Sequence, residues 1–196
     1  LLSRRQRQMC IRDRSWLEEM LQLCQQKDVG MAGAKLYYPD DTIQHAGVVV
    51  GLGGVAAHVL CKLPRDAEGY MGRLRCVQEI SAVTAACMMV KTSVFKAVGG
   101  FDEELKVAFN DIDLCMKVRK YGVKIVFTPY AELYHYESKS RGMEDTPEKQ
   151  LRFSREVNCF RRKWERELLK GDPYYNPNLT LNNTDCSLRK QEKNGD

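Results

Sequence analysis

The 196-residue chain carries 31 Lys+Arg against 26 Asp+Glu, a formal net charge of +5, with 43% hydrophobic and 29% charged residues. That composition suits one soluble globular domain, or a piece of a larger one, and excludes a disordered chain. No apolar run reaches the roughly 18 residues that a transmembrane helix needs.

The charge is not spread evenly. Residues 1–14 contain Arg4, Arg5, Arg7, Arg12 and Arg14 against one acid, Asp13, and the remainder has 26 basic against 25 acidic residues. With the body at +1, nucleic acid drops out as a partner, because it needs a basic surface. The arm reads three ways: a phosphate-gripping arm, part of a targeting peptide that lacks an apolar core and a cleavage site, or a stretch foreign to the gene. Residues 4–13, RRQRQMCIRD, read like translated adapter sequence. Residues 1–14 are therefore taken as a non-native arm and left out of the fold reading.

None of the eight cysteines has a neighbour at CxxC or other metal-ligand spacing. Several sit in apolar segments, as Cys87 and Cys115 do, so buried free thiols in a reducing cytoplasm are expected. Gly51-Leu-Gly53-Gly54 lacks the spacing of a phosphate loop or a dinucleotide fingerprint, and reads as a loop.

In chain order, Ser15-Trp-Leu-Glu18 has the form of a capping box, opening a helix to about Gln26. Residues 29–38 read as a strand, 39–42 as a turn and 43–52 as a second strand. Residues 53–79 give no clear pattern. Residues 79–91 are apolar throughout, as in a strand buried on both faces. A short helix over 92–98 ends at Gly99. Asn110 or Asp111 is the expected N-cap of a helix that stops at Gly122. Residues 123–128 form a strand closed by Pro129, with another extended piece over 131–136. Thr146-Pro147 opens a long helix, whose stripe of Phe153, Val157, Phe160, Trp164 and Leu168 reads as a core face. Residues 174–196 are polar, and 176–196 are expected to be a disordered tail. The alternation of elements gives an α/β class with a mixed sheet.

Four blocks concentrate the chemistry: Val83-Thr-Ala-Ala-Cys-Met-Met-Val90, Gly99-Gly-Phe-Asp-Glu103, Phe109-Asn-Asp-Ile-Asp-Leu114, and Tyr134-His135 running on to Ser140-Arg141-Gly142. Each has a bland reading. Gly99-Gly100 can be a helix stop, Asp111 and Asp113 can serve the helix dipole, and His135 can be a satisfied core histidine. In this order, and with Gln44-His-Ala-Gly-Val48, they resemble the C-terminal part of a bacterial family-2 glycosyltransferase of the GT-A fold, rhamnosyltransferase-like, over about residues 15–175.

The resemblance implies a partial GT-A fold, a mixed sheet flanked by helices, lacking the N-terminal nucleotide-binding half. Residues 15–175 would be the acceptor-side part of the domain. It implies inverting transfer from a nucleotide-sugar donor to a saccharide or lipid-linked saccharide acceptor, in cell-surface polysaccharide synthesis. Asp111 falls on the family's catalytic base, which takes the acceptor's proton. Gly99, Gly100, Phe101, Asp102 and Asn110 fall on the acceptor side, and Arg141 on the donor diphosphate. His135 falls on a metal ligand for a divalent ion, Mg or Mn. Asp113 is assigned to capping or the helix dipole, with a lesser chance of acceptor contact. The D-x-D acids that would complete the metal site are absent from this chain. The chain is therefore expected to be a fragment, inactive alone, and located in the cytoplasm or at the inner face of the membrane. A noncatalytic module that binds glycans or a partner is the alternative.

Overall fold

A computed structural model describes residues 9–11, 15–136 and 146–190. The strands are β1 (Met9–Ile11), β2 (Val29–Tyr37), β3 (Ile43–His45), β4 (Val48–Val50), β5 (Ala56–His58), β6 (Gln78–Glu79), β7 (Met88–Val90) and β8 (Lys124–His135). The helices are α1 (Trp16–Gln25), α2 (Thr92–Ala97), α3 (Asn110–Lys120), α4 (Pro147–Lys163) and α5 (Glu165–Lys170). The mixed α/β class with helices flanking a mixed sheet is as expected.

The parallel pair β2–β8 is the spine of the main sheet. On its outer side β8 takes β6 and β1, and β2 takes β7 and β3, all antiparallel. Residues 9–11, set aside with the arm, thus lie in the sheet as β1. β4 and β5 form a separate hairpin.

The sheet is buried on both faces. Ala32, Ala34 and Leu36 face α1, with Met20, Leu23 and Cys24. Met31, Ile125 and Phe127 face the other way, onto Leu114, Cys115 and Val118 of α3, Phe160 of α4 and Trp164 at its C-cap. A strand covered on both sides must be apolar throughout, which is why β2 reads as one run.

Several expectations need correction. Pro129 does not close a strand. β8 runs 12 residues through it, with a register shift opposite Ala34/Lys35. Before the shift Val126 packs on the α1 side, and after it Ala131 and Leu133 do. The parity change is the signature of a bulge, and a bulge tolerates a proline that donates no hydrogen bond. Residues 43–52 are two strands in two sheets. Gly47, at φ +104°, turns the chain between them. Residues 79–91 are not one strand. Only Met88–Val90 pairs with β2, and 80–87 cross the sheet irregularly, apolar because Ile80, Ala82 and Val83 are buried. The Ser15 capping box does not form its side-chain bond, whereas Thr146 caps α4 as expected, its hydroxyl accepting from the Lys149 amide. The 147–170 helix breaks at Trp164 into α4 and α5.

The expected disordered tail is packed over 174–190. Tyr175, Leu179 and Cys186 are buried, and its backbone bonds to Gly53 and Leu60. Low hydrophobicity misled here because a few apolar anchors suffice when a preformed core receives them. The described cysteines are free thiols, as expected.

Candidate active site

Asp111 stands in the first turn of α3, half-buried. The helix begins one residue earlier than a cap at Asn110 would place it, and two earlier than one at Asp111: the N-cap is Phe109, in the left-handed region at φ +61°. A bulky residue there is strained unless its surroundings fix it. They do, since the Phe109 ring packs against Phe153 and Phe160 of α4, with centroids 5.8 and 5.4 Å away.

Both Asp111 oxygens accept backbone amides. Oδ2 takes Ala85 N–H at 3.0 Å and Oδ1 takes Ile112 N–H at 2.9 Å. Ala85 lies on the irregular crossing, and the crossing is itself fixed. Val83 packs flat on Gly33 of β2, where a Cβ would sit 2.3 Å from Val83 Cγ1. The Val83 carbonyl and amide both meet the Cys115 thiol of α3, at 3.5 and 3.4 Å. Burial among apolar groups pushes that thiol far above its ordinary pKa, so it stays protonated and inert.

One residue before Ala85, the Thr84 amide donates to His45 Nε2 at 3.5 Å. An amide can only donate, so that nitrogen accepts and the neutral ring carries its proton on Nδ1. His45 Nδ1 lies 2.8 Å from His58 Nδ1, the two rings edge to face. His45 is fully buried, which holds its pKa well below the ordinary value, with His58 and His135 adding to the effect. Beside it, His135 Nδ1 meets Gln44 Oε1 at 2.8 Å, and Gln44 Nε2 donates to the His135 carbonyl at 3.3 Å. Gln44 thus sets the ring of His135 as an outer-shell partner sets a ligand. Any metal bond from His135 would run through Nε2. Among the described residues no group of three His, Cys, Asp or Glu side chains converges on a possible ion. His135 is thus a single candidate ligand and does not by itself make a metal centre.

The remaining expected residues fall as follows. Gly99 and Gly100 close α2 in a paired stop, with Gly100 N–H on the Phe95 carbonyl and Gly99 N–H on that of Lys96. Lys117 donates to the Gly100 carbonyl. Phe101 is 43% exposed, its ring edge-on to Phe95. The Asp102 carboxylate pairs with Lys163 and accepts the Glu104 amide, which together hold it below the usual carboxylate range. Asn110 opens α3 beside Asp111. Arg141 lies outside the described residues.

Asp113 is not a cap. It is fully buried and accepts Trp164 Nε1–H at 2.8 Å and Lys163 Nζ at 2.8 Å, with Lys117 at 3.4 Å. It ties α3 to α4. Two further residues escaped the sequence reading. Glu156 of α4 is 3% exposed, and its two oxygens accept the amides of Val107 and Ala108 at 3.1 and 2.8 Å. Lys163 bridges Asp102 and Asp113. The signal for Glu156 was present: an acid three residues after Phe153 and four before Phe160 sits on the helix's apolar face.

A family model described as glycosyltransferase like family 2 matches residues 10–156. The chain is 58% identical over 174 residues to the uncharacterized protein y4gI of Sinorhizobium fredii, covering 88% of this chain and 19% of that one. It is 39% identical over 185 residues to the O-antigen biosynthesis protein RfbC of Myxococcus xanthus, covering 94% and 14%. A shorter match, 36% over 62 residues, is to the N-acetylglucosaminyl-diphospho-decaprenol L-rhamnosyltransferase of Mycobacterium tuberculosis, covering 32% and 20%. The chain therefore spans less than a fifth of the length of the first two.

Proposed function

The chain belongs to the glycosyltransferase-like family 2, and from that premise we propose that it is the acceptor-side part of an inverting glycosyltransferase. The protein moves a sugar from a nucleotide-sugar donor to a saccharide or lipid-linked saccharide acceptor during cell-surface polysaccharide synthesis. The names of the Myxococcus and Mycobacterium relatives support that context.

The observation that carries this reading is the tethered Asp111 carboxylate. Each of its oxygens accepts one amide and keeps a second lone pair for an acceptor hydroxyl. The hydroxyl oxygen attacks the anomeric carbon, its proton passes to Asp111, and the bond to the diphosphate breaks with the electron pair leaving on oxygen. Asp102, Phe101 and Asn110, with Gly99 and Gly100, border the acceptor. Arg141 would offset the charge of the departing diphosphate, and His135 would give one ligand to a divalent metal whose other ligands lie elsewhere, the metal supplying further charge neutralisation. Lipid-linked acceptors would place the reaction at the inner face of the membrane. Among the described residues no helix is long and apolar enough to cross it.

The test is Asp111→Asn in the whole protein. Loss of a general base lowers turnover by roughly 10²–10⁴-fold, and the asparagine oxygen can still accept the Ala85 amide, so fold and donor affinity are expected to persist. Unchanged turnover removes Asp111 from the mechanism and leaves the noncatalytic glycan-binding alternative.

A further inference from the structure

Every element that fixes the approach to Asp111 from one side belongs to a single face of α4. Phe153, Glu156, Phe160, Lys163 and Trp164 follow one another at helical spacing. They contact, in turn, Phe109, the amides of Val107 and Ala108, Phe109 again, Asp102 with Asp113, and Asp113. The most demanding of these contacts is Glu156. A carboxylate removed from water is costly unless its lone pairs are met, and here two consecutive amides of a neighbouring segment meet them.

Those amides occupy a particular place. Val107 and Ala108 immediately precede Phe109, whose left-handed backbone turns the chain into α3. Asp111 follows two residues later. A left-handed phenylalanine is strained and persists only where its flanks are over-determined. Glu156 fixes the flank on one side, while the Ala85 amide fixes Asp111 on the other.

We propose that Glu156 is a positioning residue for the transfer reaction: its carboxylate grips the 107–108 amides, holds the Phe109 turn, and so sets Asp111 against the Ala85 amide. It touches no reacting atom. This inference rests on the reading of Asp111 as the base, but the geometric part of it can be measured without turnover.

The experiment uses the full chain carrying Glu156→Ala, Glu156→Gln or Trp164→Phe. The last is a control that loosens the C-terminal end of the same helix by removing the Trp164–Asp113 bond while leaving both Glu156–amide bonds in place. Amide hydrogen exchange is followed at Val107, Ala108 and Ala85. In the whole protein, nucleoside diphosphate release from dTDP-rhamnose is measured with the same variants. Glu156→Ala is expected to speed exchange at Val107 and Ala108 at least tenfold more than Trp164→Phe does, and to speed exchange at Ala85 as well. Glu156→Gln, which keeps one acceptor oxygen, is expected to restore protection at one of the two amides and part of that at Ala85. Turnover should fall at least tenfold in Glu156→Ala with the donor KM within about twofold of wild type.

Faster exchange at 107–108 with Ala85 unchanged would overturn the proposal, because the grip would then end at the loop. So would equal effects from the control. If Glu156→Ala does not fold, the Glu156→Gln exchange pattern decides alone. If wild-type protein shows no release with this donor, the glycosyltransferase reading is what has failed for that donor, and the exchange data still decide the grip.

Discussion

Thr84 and Ala85 are neighbours held by unlike chemistry. The Ala85 amide ends on the Asp111 carboxylate, whose other partner is the Ile112 amide, and the Val107 and Ala108 amides that lead into the same helix end on a second carboxylate, Glu156. The Thr84 amide ends on an imidazole that meets a second imidazole edge to face, with a third nearby bonded to an amide side chain. Peptide N–H groups do not titrate in the physiological range, and imidazoles do. One side of the crossing is therefore set by backbone geometry and depends on packing. The other is set by ring protonation and depends on pH. A site built this way keeps its base in place across conditions while its histidine wall responds to them.

The largest expected break falls on the packing-dependent side. Asp113→Ala strips Trp164 Nε1 and Lys163 of their shared buried acceptor. Leaving the buried Trp164 N–H unpaired, with Lys163 reduced to its Asp102 partner, costs about 3 kcal/mol. Urea unfolding should read that loss. Because α4 would loosen from α3, amides 107–108 should lose protection while the Thr84 amide keeps its own. A loss below about 1 kcal/mol would mean that solvent readily replaces Asp113, and that the α3–α4 tie is not structural.

That tie also shows what the sequence could and could not disclose. The β2 run, the Gly122 stop and the Thr146-Pro147 start are local signals, and each element formed where it pointed. Asp111 was legible because a motif places it at a helix start. Asp113 was misread as a dipole acid, since its partners lie 50 residues on, in a helix whose approach no local pattern encodes. The burial of Glu156 could be read from its place on the apolar face of α4, but its partners could not, because its two amides belong to a loop far away in the chain. The continuous strand expected over 79–91 failed because apolar residues record burial, and burial under α3 does not require a ladder. Pro129 failed in the opposite sense. It marked a bulge that changes which residues face α1, and a bulge keeps the strand going.

A smaller effect tests the joint between the two sides. Gly33→Ala places a methyl 2.3 Å from Val83 Cγ1, and the backbone beneath must shift. Overpacking of this kind costs about 1–3 kcal/mol. Since Val83 leads directly into Thr84 and Ala85, both amides should move, and exchange at both should accelerate together. If only the overall stability changed, with neither amide affected, the crossing would be fixed by its Cys115 contacts and not by its seat on β2.

The smallest effect per step belongs to the histidine side and appears only on acidification. In the folded protein His45 Nε2 accepts the Thr84 amide, and burial keeps the ring neutral well below the ordinary value of 6.5. In the unfolded chain the same ring takes up a proton near 6.5. Below that pH the unfolded state binds more protons, so stability falls as pH drops, by at most about 1.4 kcal/mol per pH unit from this one group, and it is flat above. The groups facing His45 are His58 and His135, and their charge on protonation acts in the same direction. Asp102, whose folded pKa lies below its ordinary 3.8, loses its contribution only as pH falls below the carboxylate range. The interval from 6.5 to about 5 therefore isolates the histidines. Urea unfolding across that interval should show the slope in wild type and a shallower one in His45→Gln, whose side chain cannot titrate. An identical slope in the variant would move the pH dependence off His45 and onto the other two rings. The Thr84 side would then be held as passively as the Ala85 side.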